Sequence, residues 1–279
     1  MKANTKRKGE NMKTSFNKYG RKDDKDLCEI SLKNDNGMVV KVLNYGATLE
    51  KVLLNDKNMI LSLNSPADYS QERNYLGSTV GRIAGRVRKG QWRHGLEIHQ
   101  LPINEGENHI HGGIGTDTEV WDFEPSCDEN SARVDLTLFD PDGHNDYPGN
   151  LKIHVKYELD NDDTLHYSIN AVSDQLTIFN PVNHVYFTLG EKDNIKDLKL
   201  KMNADYYLPV DHSGMPDRGM EEVAGTAFDF RKTKRVGDAL EANDPQIKDR
   251  GGMDHPFILN GNRPGAVLSS ADHKVIVNT

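Results

Sequence analysis

The sequence predicts an all-β protein, an antiparallel β-sandwich or a distorted barrel, and three observations carry that prediction. Residues 151–159 alternate strictly, with Leu151, Ile153, Val155, Tyr157 and Leu159 interleaved with Lys152, His154, Lys156 and Glu158. That is the period of a strand with one face in a core and the other in water. Similar runs recur between turn clusters such as Asn34-Asp35-Asn36-Gly37, Asp140-Pro141-Asp142-Gly143 and Asn161-Asp162-Asp163. Helical patterning is confined to a short amphipathic stretch near 236–241, so the crossover helices that a parallel sheet requires are missing.

In chain order the expected strands are 27–32, 38–43, 47–54, 132–138, 151–159, 164–172, 196–202 and 273–278. No repeat, low-complexity tract or Pro/Ser linker divides residues 27–279, so they are expected to form one domain. Residues 1–26 carry Lys2, Lys6, Arg7, Lys8, Lys13, Lys18, Arg21, Lys22 and Lys25 without an apolar run. They read as a basic, disordered tail and as neither signal peptide nor membrane span, with Met12 an alternative start.

A net charge of −8 supplies no basic field for nucleic acid or an anionic membrane, which leaves a small, neutral or weakly charged ligand as the fitting partner. Cys28 and Cys127 stand far apart with no CxxC spacing. Neither a disulfide framework nor a thiolate zinc site is indicated, and a reducing cytoplasm is the expected compartment.

Four stretches depart from plain alternation: GSTVGRIAGR (77–86), ENHIHGG (107–113), NPVNHVYF (180–187) and GGMDHPF (251–257). The first spaces Gly77, Gly81 and Gly85 four apart and repeats that interval in Arg82 and Arg86. It lacks the Lys-Ser/Thr end of a phosphate loop. Glycine permits close backbone approach, and arginine offers a planar fork of donors for hydroxyls or carboxylates; the plain alternative is a tight turn with solvated arginines.

His109 and His111 are expected on one face of a strand, the arrangement that invites a metal reading with Glu119 and His154 as further ligands. The spacing fits poorly, and two polar strand-end residues are the simpler expectation. His184 beside aromatics reads equally as a satisfied core histidine, and Asp254-His255 as a capped turn.

Taken together and in order, these stretches resemble the aldose 1-epimerase (galactose mutarotase) family. Its members show NYGAT, G-R-x-A-[NG]-R, N-x-x-H-G-G, Y-P-G, N-x-x-N-H-x-Y-F and D-H-x-F. The chain has Asn44-Tyr45-Gly46-Ala47-Thr48, the arginine stretch 81–86, His111-Gly112-Gly113, Tyr147-Pro148-Gly149, Asn180 to Phe187 and Asp254-His255-Pro256-Phe257.

The resemblance implies a sandwich of the galactose mutarotase type, monomeric or homodimeric. It implies a reaction without cofactor or metal, the interconversion of α and β anomers of free aldohexoses such as galactose and glucose in hexose metabolism. It makes His184 the general acid and places His111 beside the reacting centre. Arg86 and Asp254 hold sugar hydroxyls, and Gly85 takes a slot where many relatives carry Asn. His109 falls at a variable position and is expected only to line the cleft.

The family's base is a glutamate, preceded by a glutamine, after a strand similar to residues 274–279. Neither has a counterpart here, so the alternatives are a C-terminally shortened, catalytically impaired sugar-binding member, or a hexose-6-phosphate 1-epimerase using Arg82, Arg86, Arg88 and Arg93.

Overall fold

The computed structural model describes residues 12–279, which form two compact units, one running through Phe187 and the other from Thr188. In the first unit five strands pair consecutively and antiparallel: β1 (Lys13–Lys22), β2 (Lys25–Lys33), β3 (Val39–Leu43), β4 (Thr48–Leu54) and β5 (Lys57–Asn58). A second antiparallel sheet is built in the same simple order from Asp122–Cys127, Ser131–Asp140, Leu151–Asp160 and Leu165–Ser173.

The alternation read in the sequence explains why these sheets face one another. Ile153, Val155, Tyr157 and Leu159 are all fully buried, while Lys152 on the opposite face is exposed. They meet Ile30, Leu32, Val40 and Val42 of the first sheet and Val134 and Leu136 of the second in one core cluster. Burial of branched side chains from both inner faces is what closes a sandwich.

Residues 13–26 correct an expectation. They are not a solvated tail but a hairpin: β1 runs antiparallel to β2 from Lys13 opposite Lys33 to Lys22 opposite Lys25. Asp23 and Asp24 form the two-residue turn, both with positive φ (45° and 59°), the twist that such loops favour. Lysine count misled because an edge strand is held by backbone pairing, and lysines suit its open side. Residues 1–11 of the expected tail lie outside the described residues.

In the second unit the strands are short. One sheet joins Lys234–Arg235, Lys199–Met202, Ala266–Ser269 and Lys274–Val277; another joins Glu221–Glu222, Ala204–Tyr207 and Phe257–Leu259. The amphipathic stretch near 236–241 is a short helix, Val236–Leu240. A second helix, Pro245–Arg250, was not anticipated, although its signals are local. Asp244 caps it by accepting from the Gln246 N–H at 2.9 Å, Pro245 opens it, and Gly251 (φ 64°) ends it. Among the described residues no helix is long and apolar enough to cross a membrane.

Ile153→Ala is expected to destabilise the protein by about 2–5 kcal/mol through loss of buried methyls and the cavity left behind. Lys152→Ala, its neighbour on the solvent face, should change stability by no more than about 0.5 kcal/mol. Chemical denaturation of the two variants measures the difference.

Candidate active site

Two irregular loops of the first unit place the histidines. His184 follows the two-residue strand Val182–Asn183, which pairs with Thr79–Val80. Its N–H donates to the Ser78 carbonyl and its own carbonyl accepts from the Gly77 N–H, both at 2.9 Å. Asn183 locks the segment to the core by donating to the Gly77 carbonyl (2.9 Å) and the Tyr157 hydroxyl (2.7 Å).

His111 follows the two-residue strand His109–Ile110, which pairs with Arg86–Val87. There the chain turns sharply: His111 has φ 52° and Gly112 φ 75°. A Cβ on Gly112 would stand 1.8 Å from the Gly81 carbonyl oxygen, so only glycine lets these two loops close on each other. The His111 N–H donates to the Gly85 carbonyl at 3.1 Å, and the Gly85 N–H donates back to His111 Nδ1 at 3.2 Å.

The result is a cluster of rings. The imidazoles of His111 and His184 lie 5.2 Å apart at 76°. Tyr75 touches both, at 4.8 Å from His111 and stacked at 5.9 Å on His184, and Tyr186 lies 5.2 Å from His184. Arg86 is held in a two-pronged ion pair, Nε to Glu105 Oε2 at 2.5 Å and Nη2 to Oε1 at 2.8 Å.

Burial, then the neighbouring His184, Arg86 and Arg73, push the His111 pKa down to about 4, against a smaller pull upward from Glu105. The ring is therefore neutral near pH 7. Because Nδ1 accepts from Gly85, its proton sits on Nε2, and His111 is a donor through that atom.

The structure brings Gly85, Arg86, His111 and His184 together. Asp254 belongs to the second unit, between the helix Pro245–Arg250 and the strand Phe257–Leu259, where its carboxylate accepts from Arg250 at 2.9 Å. Arg82 is not a solvated turn residue: its side chain is 1% exposed and pairs with Asp140 at 2.6 Å while donating to the carbonyls of Pro148 and Gly149.

His109 also departs from expectation. It neither shares a face with His111 nor lines the cleft, since the left-handed turn at His111 breaks the alternation. Fully buried, its Nδ1 meets the Pro102 carbonyl and its Nε2 the Tyr147 hydroxyl, both at 2.7 Å. His154, the other nominated ligand, pairs with Asp135 on the second sheet. Among the described residues no three His, Cys, Asp or Glu side chains are grouped to hold a metal ion.

Sequence reasoning missed Tyr75, Tyr186 and the Arg86–Glu105 pair. Tyr186 lies inside a motif already singled out and Tyr75 just before another, but periodicity says nothing about which loop residues converge.

A mutarotase-type β-sandwich with two facing imidazoles beside a carboxylate-held arginine defines a sugar isomerase of the epimerase class. The chain belongs to the aldose 1-epimerase family, whose sequence model matches residues 29–279.

It is 91% identical over 129 residues, 46% of this chain and 100% of the relative, to the aldose 1-epimerase of Lactobacillus helveticus. Identity to the aldose 1-epimerase of Escherichia coli strain K12 is 36% over 257 residues, covering 88% of this chain and 73% of that protein. The crystal structure of galactose 1-epimerase from Lactobacillus acidophilus NCFM matches with a TM-score of 0.91 at 76% identity, over 93% of this chain and 77% of that one.

The depressed His111 pKa makes stability depend on pH. The unfolded ring takes up its proton near pH 6.5 and the folded ring only near 4, so stability present above pH 6.5 is lost as the pH falls toward 4. Denaturation midpoints at pH 7, 5.5 and 4.5 should decline in that order, and His111→Asn should flatten the decline.

Proposed function

We propose that the chain is an aldose 1-epimerase that interconverts the α and β anomers of free aldohexoses in hexose metabolism. The observation that carries this reading is the pair His111 and His184, whose imidazoles lie 5.2 Å apart with His111 held neutral. Ring opening requires an acid that protonates the ring oxygen and a base that removes the anomeric hydroxyl proton; the aldehyde rotates and recloses on its other face.

His111 is a neutral donor through Nε2, with Nδ1 already engaged by a backbone N–H. The resemblance of residues 180–187 to the family motif makes His184 the general acid; His111 donates to a sugar oxygen beside the reacting carbon. Arg86 holds sugar hydroxyls from the first unit, and Asp254 is assigned the same task by the family motif.

Gly85, at φ 76° with nothing within 4 Å of where a Cβ would stand, supplies a left-handed position with open space. Asn also tolerates that conformation, which accounts for the Asn that many relatives carry there. The base that takes the anomeric proton is, by the resemblance, a glutamate to which no residue of this sequence corresponds; Glu105 is not put in its place, because Arg86 engages both its oxygens.

The same ion pairs argue for a free sugar over a phosphorylated one. Arg82 is committed to Asp140 and Arg86 to Glu105, so two of the four arginines that a phosphate would need are already neutralised. Cys28 and Cys127 are both free thiols, in keeping with a reducing, cytoplasmic setting.

Polarimetry on freshly dissolved α-galactose or α-glucose tests the reading. His184→Ala should lower the rate by roughly 10²–10⁴-fold, the usual contribution of a positioned general acid; an unchanged rate removes His184 from that role. His109→Ala should instead act on stability, since it leaves the buried Tyr147 hydroxyl and Pro102 carbonyl without their partner, at a cost of about 1–3 kcal/mol for each unsatisfied group. Hexose 6-phosphate should neither turn over nor inhibit.

A further inference from the structure

We propose that Tyr75, backed by the Arg73–Asp117 pair, is a positioning residue that fixes the mutual orientation of His111 and His184. The inference deepens the epimerase reading and rests on it for its consequence in catalysis. Its structural basis is separate.

Tyr75 is the one ring in contact with both imidazoles among the ring contacts described above. Its centroid lies 4.8 Å from that of His111 and 5.9 Å from that of His184. The Arg73 guanidinium carbon lies 4.6 Å from the centroid of the Tyr75 ring, within cation–π range. Arg73 is itself fixed, with Nε and Nη2 each 2.7 Å from a different oxygen of Asp117. The Asp117 side chain is 2% exposed.

Arg73 and Tyr75 sit on the loop that precedes Gly77, whereas Asp117 sits in the short 3₁₀ turn Thr116–Thr118 that follows His111-Gly112-Gly113. The ion pair therefore ties the loop carrying Tyr75 to the loop carrying His111. The Tyr75 backbone is held as firmly. It adopts φ 62°, which side chains rarely do. Its carbonyl accepts from both the Ser78 N–H (3.1 Å) and the Ser78 hydroxyl (2.9 Å).

Such a clamp has chemical work to perform. The last torsion of a histidine side chain is broad, so packing must choose the ring plane that presents His111 Nε2 and the His184 ring to a sugar. Burial, then the facing charges, keep His111 neutral: His184, Arg86 and Arg73 oppose its protonation and Glu105 favours it. Tyr75 is in contact with Arg73 and with both imidazoles. With His111 Nδ1 accepting from Gly85, the orientation of the ring decides where Nε2 points.

The test uses the full chain with Tyr75→Leu, Tyr75→Phe, Arg73→Met and the double variant Arg73→Met/Asp117→Asn, the last leaving no unpaired buried carboxylate if the single charge removal unfolds the protein. Polarimetry against pH gives kcat and KM, and NMR of labelled imidazoles gives the titration of each histidine.

Tyr75→Leu should lower kcat by about 10–100-fold, the effect of a small misplacement of catalytic groups, with KM little changed. Tyr75→Phe, which keeps the ring, should recover most of that loss. Removing the Arg73 charge should raise the His111 midpoint from about 4 and move the acidic limb of the rate to higher pH. A Tyr75→Leu variant with unaltered kcat, or Arg73 variants whose His111 midpoint stays in place, would overturn the proposal. If no form of the chain interconverts anomers, the epimerase reading fails while the imidazole titrations still decide whether the clamp acts on His111.

Discussion

The hydroxyl of Tyr157 is the joint on which the site hangs. It belongs to the most regular strand of the protein and is fully buried. It donates to the Ala47 carbonyl at 2.9 Å and accepts from Asn183 at 2.7 Å. One buried oxygen thereby connects the inner face of the second sheet, the turn before β4 and the segment that ends in His184. A buried polar group must find its partners within the protein, so the core fixes the segment that carries His184 by satisfying its own hydroxyl.

A second constraint acts by exclusion. The approach of Gly112 to the Gly81 carbonyl leaves no volume for a side chain, and it presses the arginine loop against the histidine loop. From that contact follow the reciprocal bonds between Gly85 and His111 and the tautomer of the ring. Backbone geometry thus sets which nitrogen of the His111 ring carries its proton.

The arginines illustrate how charge is spent in such a molecule. Arg82, four residues from Arg86 on the same glycine-spaced stretch, disappears into a structural pair with Asp140, whereas Arg86 stays partly exposed and paired with Glu105. Arg73 is pinned to a nearly inaccessible Asp117. Arg73 and Arg86, the two cations acting on His111, each carry their own anion.

What the sequence determined by itself is the architecture and the family. Alternation at 151–159 survives as a strand with one dry and one wet face because burial of every second side chain has the same period as the pleat. The ordered motifs identified Gly85, Arg86, His111 and His184 because each sits at a glycine turn or strand end whose chemistry is local. What only the tertiary structure decided is which similar residues differ in role. His109 and His111 are two residues apart, and Arg82 and Arg86 four, yet one of each pair is sealed in the interior and the other is only half-buried. Tyr75 joins the imidazoles from a loop with no periodicity to announce it, and the hairpin 13–26 forms by backbone pairing that its lysines conceal. Burial, close approach and ion pairing arise between segments distant along the chain, so they come into being only when the sheets have packed.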